Sequence, residues 1–98
     1  MTPKNFRRSL AADDPPEGVS VALRALWYGG KGEWSRAHEF VQNEHGVDAA
    51  WVHAWLHRQE GDTENARHWY DKAGVPEANG NVEEEWRDIA FALLTRGD

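Results

Sequence analysis

The fold is decided by the stretch from Asp48 to Gly74, which reads DAAWVHAWLHRQEGDTENARHWYDKAG. Its apolar residues recur at helical spacing on both sides of Gly61-Asp62, a pair typical of turns. Trp51 and Trp55 lie one helical turn apart in the first half. The buried stripe of the second half is formed by Ala66, Trp69, Tyr70 and Ala73. We therefore predict one helix, a tight turn, and a second helix folded back on the first.

The rest of the chain repeats or completes this plan. Val21 to Val41 shows the same pattern, with its turn at Gly32-Glu33. Asn81 and Glu84 form a capping pair that begins a last helix. Its inward side chains are predicted to be Trp86, Ile89, Ala90 and Leu93. No alternation of strand type occurs. We predict an all-α fold of two antiparallel helix-turn-helix repeats and a C-terminal capping helix, about five helices in total.

The ends of these elements are less sharply marked. Residues 1–13 lack periodicity, so we predict a flexible N-terminal tail there and a single helical domain over residues 14–98. Asp14 can begin the first helix, since a proline follows it and Glu17 can complete a capping box. Ser20 is an alternative start, and Asp48 is predicted to cap the third helix.

The composition excludes several functions. The chain has 98 residues, enough for one small domain. A net charge of −6 argues against nucleic acid or anionic lipid as a partner, because phosphate contacts need clustered lysine and arginine. The absence of cysteine excludes disulfides, thiolate zinc sites and cysteine nucleophiles. No apolar run approaches the ~20 residues of a membrane helix, and no export signal is present, so we expect a cytoplasmic protein.

An internal repeat supports the helical plan. A shift of 29 residues aligns Ala25 with Ala54, Gly32 with Gly61, and Ala37 with Ala66. Small residues allow antiparallel helices to approach closely, and glycine allows the short turn between them. One such hairpin cannot bury its apolar face alone, so a neighbouring hairpin and a capping helix are expected.

These residues carry a family resemblance. The segment with Ala54, Gly61-Asp62, Ala66, Tyr70 and Ala73 resembles a tetratricopeptide (TPR) or Sel1-like helical repeat. The earlier copy fits at Ala25, Tyr28, Gly32 and Ala37, but Val41 and Glu44 replace an aromatic residue and an alanine. His57 also stands where that family has an apolar residue, and the spacing of 29 is shorter than its ~34.

The resemblance covers roughly residues 18 to 95 and implies a fold without an activity. The chain is also similar to a set of small bacterial proteins with the patterns LWY..KG.W..AH and DAAWVHA.LHR.EGD..NA..WY. This likeness, too, supplies no reaction.

Two histidines have the spacing of metal ligands. His53 and His57 are four residues apart on one helix, so both imidazoles can point toward the same zinc or nickel ion. The candidates for a third ligand are His38, Glu39, Glu60 and His68. The acidic residue of an H-E-x-x-H motif is missing. The alternative is structural, with each ring packed at a helix seam and hydrogen-bonded to a carbonyl or carboxylate.

The same residues offer an acid/base site. His38 and His57 could act with Glu60 or Glu39 as an imidazole oriented by a carboxylate. No nucleophile accompanies them, because Ser35 and Thr63 lie at helix starts, where hydroxyls usually act as caps. We therefore predict no catalytic residue and no cofactor.

The six tryptophans suggest a binding surface as well as a core. We assign Trp27, Trp69 and Trp86 to the core, and leave Trp34, Trp51 and Trp55 open. The TPR resemblance implies that Trp51 and Trp55 face a concave groove. Together with His57 and Arg58, they could bind a peptide or a small aromatic or cationic ligand.

The leading hypothesis is a helical-repeat interaction module that binds a protein or peptide through Trp51, Trp55, His57 and Arg58. The first alternative is a small-molecule or metal site among His38, His53, His57 and Glu60. The second alternative is a self-associating domain, since tryptophan is enriched at such interfaces.

Overall fold

The computed structural model describes residues 1–96, and these contain six α-helices and one 3₁₀ turn, with no strand. The all-α prediction is confirmed, although there is one helix more than expected. The helices are α1 (Pro3–Arg8), α2 (Val21–Gly30), α3 (Trp34–Val41), α4 (Val47–Gln59), α5 (Thr63–Ala73) and α6 (Val82–Thr95), with the 3₁₀ turn at Ser9–Ala11.

Helix α4 is the centre of the structure. It packs against α2, α3, α5 and α6, and its buried residues extend around nearly all of its circumference. α2 pairs with α3, and α5 pairs with α4 across the Gly61-Asp62 turn. The predicted inward residues of α6 are all buried, and they pack against α2 and α4. Two helical hairpins, α2–α3 and α4–α5, are thus joined by contacts of α4 and α6.

Polar side chains fix where most helices begin. The Asp62 carboxylate accepts the Asn65 N–H at 3.2 Å, and the Asn81 side chain accepts the Glu84 N–H at 2.7 Å. The Ser20 hydroxyl accepts the Leu23 N–H at 3.2 Å, so α2 begins after Ser20. Caps of this kind contribute about 1 kcal/mol each. Asp14 is therefore not the start of the first long helix.

The start of α4 also differs from the prediction. Gly46 occupies the cap position without a side-chain hydrogen bond, and Asp48 lies inside the first turn. There its carboxylate pairs with Arg96 at the end of α6. A negative charge in the first turn interacts favourably with the helix dipole. Asp48 therefore still stabilises the start of α4, although it does not cap the helix as predicted.

The N-terminal residues form helix where the sequence predicted a flexible tail. Phe6 of α1 is fully buried and stacks on Trp86 with ring centroids 5.5 Å apart. Ser9 accepts the Trp27 indole N–H at 3.0 Å, and Lys31 donates to the Leu10 carbonyl at 2.7 Å. Phe6 is the one fully buried side chain of this segment, and a single buried residue produces no periodicity in a sequence.

The turns of the two hairpins have the same hydrogen-bond pattern, 29 residues apart. Gly32 N–H donates to Gly29 and Glu33 N–H to Tyr28; in the second hairpin, Gly61 donates to Arg58 and Asp62 to His57. Gly32 and Gly61 both have positive φ angles, of 82° and 86°, which favour glycine. The repeated sequence therefore produces a repeated turn.

Gly29 permits the close approach of α2 to α4. A Cβ atom at this position would lie 2.5 Å from a ring carbon of Trp55 and 3.1 Å from a methyl group of Leu56. Trp55 is itself only 2% exposed, and its N–H donates to the Val82 carbonyl at 2.8 Å. Because the Trp55 ring is held in place, the residue of α2 that lies against it, at position 29, must be glycine.

Gly29→Ala is expected to lower the free energy of unfolding by ~1–3 kcal/mol, because the new methyl group overpacks the contact with Trp55. Alanine inside a helix otherwise gains about 1 kcal/mol over glycine, so the clash decides the sign. Urea denaturation measures the change. The control is Gly80→Ala, whose Cβ would meet only the flexible Glu84 carboxylate at 3.3 Å. A Gly29→Ala variant more stable than the wild type would contradict this packing.

Candidate functional site: a histidine centre between α3 and α4

Three histidines from two helices converge where α3 meets α4. His38 comes from α3, and His53 and His57 come from successive turns of α4. His38 Nε2 and His53 Nε2 are 3.0 Å apart, and one nitrogen from each of the three rings lies within 4.8 Å of the other two. We call His38, His53 and His57 the histidine centre. The helical spacing predicts the His53–His57 pair, and the packing of α3 selects His38 as the third member.

Two tryptophans cover the histidine centre. Trp34 stacks on His38, with ring centroids 4.7 Å apart and planes 10° apart. Trp69 stacks on His53, at 3.8 Å and 14°. The Trp34 indole N–H donates to the Leu56 carbonyl at 2.6 Å, which anchors that ring to α4. The stacked rings shield the faces of His38 and His53, so the polar nitrogens at the ring edges must find partners within the centre.

Two carboxylates lie next to His57, and both are already engaged. Glu60 Oε1 is 2.8 Å from His57 Nδ1. Asp62 also lies within 4.8 Å of this pair, but its oxygens accept the backbone N–H and the side-chain amide of Asn65. Because Glu60 occupies Nδ1, the His57 ring presents Nε2 as its available nitrogen. Glu60 thus orients His57, as outer carboxylates commonly orient metal-binding imidazoles.

His53 is the most deeply buried member, at 3% exposed, and its Nδ1 has no hydrogen-bond partner within residues 1–96. His57 is 8% exposed, whereas His38 is partly exposed. Buried polar atoms without a partner are rare in folded proteins, and a bound water or ion is a common reason for them. The unpaired atom is Nδ1, whereas the His53 nitrogen that meets His38 is Nε2, so this buried polar atom lies beside the His38–His53 contact and on another edge of the ring.

The surroundings keep two of the imidazoles neutral. Burial, followed by the neighbouring imidazoles His38, His57 and His68, lowers the pKa of His53 to about 3. Burial and His57 also lower the pKa of His38, against an opposing effect of Glu60. A neutral imidazole has a free lone pair, which is the form that binds a metal ion. His53 and His38 are thus ready to act as ligands at neutral pH.

The distances fit a small transition-metal ion. Tetrahedral zinc with Zn–N bonds of ~2.0–2.1 Å places ligand nitrogens about 3.3 Å apart. The His38–His53 pair is already close to that value at 3.0 Å. Because the nitrogens of all three rings lie within 4.8 Å of one another, the His57 nitrogen is at most about 1.5 Å beyond the tetrahedral separation. The separations of the histidine nitrogens are thus near those of a tetrahedral metal site.

The other predicted ligands lie outside the centre. His68 is exposed and packs edge-on against Trp69, at 5.2 Å. Glu39 is exposed on α3, and Glu60 contacts only His57 among the three histidines. Among residues 1–96, no carboxylate lies within 4.8 Å of ligand nitrogens of all three histidines.

The four predicted partner-binding residues do not share one exposed face. Trp55 is buried against Gly29, and His57 belongs to the histidine centre. Trp51 and Arg58 meet at Glu85 on α6, where Trp51 Nε1 lies 3.3 Å and Arg58 Nη1 lies 2.8 Å from carboxylate oxygens. The side chains of α4 thus point to three different neighbours.

Glu85 is a buried charge that sequence analysis missed. It is 5% exposed, and besides Arg58 and Trp51 it accepts the Tyr70 hydroxyl at 2.6 Å. Burial, and then the hydrogen bond to Glu85, raises the pKa of Tyr70. The acidic run at residues 83–85 indicates a solvated helix start, and only the position of Glu85, one helical turn before Ile89, hints at an inward side chain.

The division of the tryptophans between core and surface differs from the prediction. Trp27 and Trp86 are buried as expected, and Trp55 joins them in the core. Trp69 is only partly buried, because its ring covers His53 at the edge of the fold. Trp34 and Trp51 are also partly buried. Indole N–H groups of five tryptophans donate to groups in other elements of the fold; these are Trp27, Trp34, Trp51, Trp55 and Trp86.

Comparison with protein-family models, with curated proteins and with solved structures finds no match to this chain. Within residues 1–96, no helix is both long enough and apolar enough to cross a lipid bilayer. The site must therefore be interpreted from its own geometry.

Tyr70→Phe is expected to lower the free energy of unfolding by ~1.5–3 kcal/mol, because Glu85 loses a buried hydrogen bond to its charged carboxylate. Chemical denaturation measures the loss. Tyr28→Phe is the matched control, since the Tyr28 ring is also buried but its hydroxyl forms no hydrogen bond within residues 1–96. Equal effects of the two substitutions would show that the Glu85 network adds no stability.

In the presence of a chelator, the free energy of unfolding is expected to fall as the pH is lowered from 6.5 toward ~4.5. The upper value is the ordinary pKa of histidine. The unfolded chain takes up protons in this range, but folded His53, with its pKa of about 3, does not. Each imidazole that is protonated only in the unfolded chain lowers the free energy of unfolding by up to about 1.4 kcal/mol for each pH unit.

Urea denaturation at a series of pH values measures this slope. His53→Gln should flatten it, whereas His45→Gln, which changes an exposed histidine outside the centre, should keep the wild-type decline. Stability that is the same at pH 6.5 and 4.5 would contradict a neutral buried His53.

Proposed function

We propose that this protein binds a divalent transition-metal ion through His38, His53 and His57. The observation that carries the proposal is the convergence of three imidazole nitrogens within 4.8 Å of one another, on two helices, with His53 and His57 both buried. Packing against Trp34 and Trp69 does not by itself require imidazoles here, because an apolar side chain in place of His53 would avoid a buried nitrogen without a partner.

The chemistry of the ligands selects a class of metal. Imidazole suits Zn²⁺, Cu²⁺ and Ni²⁺, whereas Mg²⁺ and Ca²⁺ prefer sets of oxygen ligands. The chain has no cysteine and one methionine, so the soft sulfur ligands that favour Cu⁺ are scarce. The proposed cargo is therefore a borderline divalent ion, with Zn²⁺, Ni²⁺ and Cu²⁺ as the leading candidates.

The charges around the centre favour such an ion. Three neutral imidazoles would leave its charge of +2 uncompensated, but Glu60 lies 2.8 Å from His57 and Asp62 is next to it. The chain as a whole has a net charge of −6, which attracts cations. His38 and Glu60 are the more exposed groups, so they form the side through which an ion would enter.

A bound ion would also join the two hairpins. His38 belongs to the α2–α3 hairpin, and the other two ligands belong to the α4–α5 hairpin. Binding that occurs only in the folded state stabilises that state, by about 2.7 kcal/mol when the free ion is 100 times the dissociation constant. The metal would thus act as a clamp between α3 and α4.

The wild-type protein, without a polyhistidine tag, is expected to bind one Zn²⁺ or Ni²⁺ ion per chain and to melt at a higher temperature with the metal than with a chelator. His38→Gln, His53→Gln and His57→Gln should each weaken binding by more than about 100-fold, beyond what the loss of an outer carboxylate costs. Isothermal titration calorimetry and thermal unfolding provide the two readouts.

His45→Gln is the matched control, because it removes an exposed histidine and leaves the histidine centre intact. This variant should bind as the wild type does. Wild-type protein that binds none of these ions, or three centre variants that bind as tightly as His45→Gln, would overturn the proposal.

The protein- or peptide-binding module stays a prediction, together with the TPR-like arrangement and self-association. What supports the repeat is the pair of equivalent turns at Gly32 and Gly61, each followed five residues later by a buried alanine, Ala37 or Ala66. The burial of Trp55 weighs against a groove lined by that residue. The geometry therefore favours the metal site as the function to be tested first.

A further inference from the structure

We propose that the metal centre is an open one, in which the three histidines leave a fourth coordination position to a small exchangeable anion or water. This inference rests on the proposed function, since it concerns the same ion. It separates two kinds of site: a closed structural site with four protein ligands, and an open site at which the ion can bind a further molecule.

The first argument is the number of ligands. Among residues 1–96, the group of converging donors contains His38, His53 and His57 and no fourth histidine or carboxylate. Asp62 cannot readily join them, because its two oxygens cap α5 through Asn65. A structural zinc site almost always has four protein ligands, whereas a site with three protein ligands completes its sphere with water or substrate.

The second argument is the role of Glu60. Its Oε1 atom is engaged by His57 Nδ1 at 2.8 Å, so the ring nitrogen left for a metal ion is Nε2. Glu60 is therefore a positioning residue for His57, and it lies in the outer shell of the ion. A carboxylate in that place fixes the ring and raises its basicity without occupying a coordination position.

The third argument is the shape of the surroundings. Trp34 and Trp69 cover His38 and His53, while His38 itself and Glu60 reach solvent. The indoles restrict the space beside the ion, so the fourth ligand must be small. Three neutral imidazoles leave the charge of +2 to be balanced only by Glu60 and Asp62 outside the coordination sphere, so an anion such as azide, acetate or hydroxide can add to the ion at the fourth position.

Substitution with Co²⁺ tests the proposal, because the visible spectrum of this ion reports its coordination number and its ligands. The untagged full-length protein is loaded with Co²⁺ in a buffer without coordinating anions and titrated with sodium azide. The wild type should show an intense four-coordinate spectrum that shifts with a saturable dependence on azide. His45→Gln should behave identically, and His38→Gln should lose the intense spectrum.

Glu60→Gln distinguishes the outer carboxylate from a fourth ligand. If Glu60 only positions His57, this variant should bind Co²⁺ about 10–100-fold more weakly and retain the response to azide. If azide does not change the cobalt spectrum of the wild type, the open centre is overturned and the metal-binding function still stands. The same conclusion follows if only Glu60→Gln responds to azide. Failure of the wild type to bind Co²⁺, Zn²⁺ or Ni²⁺ at all would overturn both.

Discussion

The burial of α4 on nearly all of its sides is the constraint on which the rest of the structure depends. A helix in this position must be apolar around most of its circumference, and any polar group on it must be paired inside the protein. Alanines, leucine, valine and Trp55 satisfy the first condition. His53, His57 and Arg58 are subject to the second, and each of them is bound to a neighbouring element or to a residue near the end of α4.

The two polar clusters around α4 meet this constraint in different ways. Glu85 is surrounded by Arg58, Tyr70 and Trp51, and its carboxylate oxygens accept hydrogen bonds from all three. This cluster is complete and ties α6 to α4 and α5. In the histidine centre, by contrast, two rings share a single contact between Nε2 atoms, and a buried Nδ1 has no partner. The polar atoms of the first cluster all have partners in the protein, whereas the second leaves one buried nitrogen without a partner among residues 1–96.

This difference distinguishes a polar cluster that is satisfied within the protein from one that contains a buried atom without a partner. A buried charge with a full set of hydrogen bonds contributes to the uniqueness of the packing, and nothing further is needed to explain it. Neutral imidazoles held between indole rings have their lone pairs directed at the edges of the rings, where a cation can reach them. Their position between the α2–α3 and α4–α5 hairpins means that an ion there would act on the stability of the whole fold.

The sequence by itself determined the features that depend on neighbours along the chain. Helical periodicity identified α2 to α6, the glycines of positive φ marked the turns at Gly32 and Gly61, and the spacing of four residues paired His53 with His57. Only the tertiary structure decided that His38 joins them, that Glu85 is buried, that Trp55 is core and that Phe6 holds the N-terminal segment. Backbone geometry fixes local spacing wherever a helix forms, but burial depends on which distant surface covers a side chain, and a linear pattern does not contain that information.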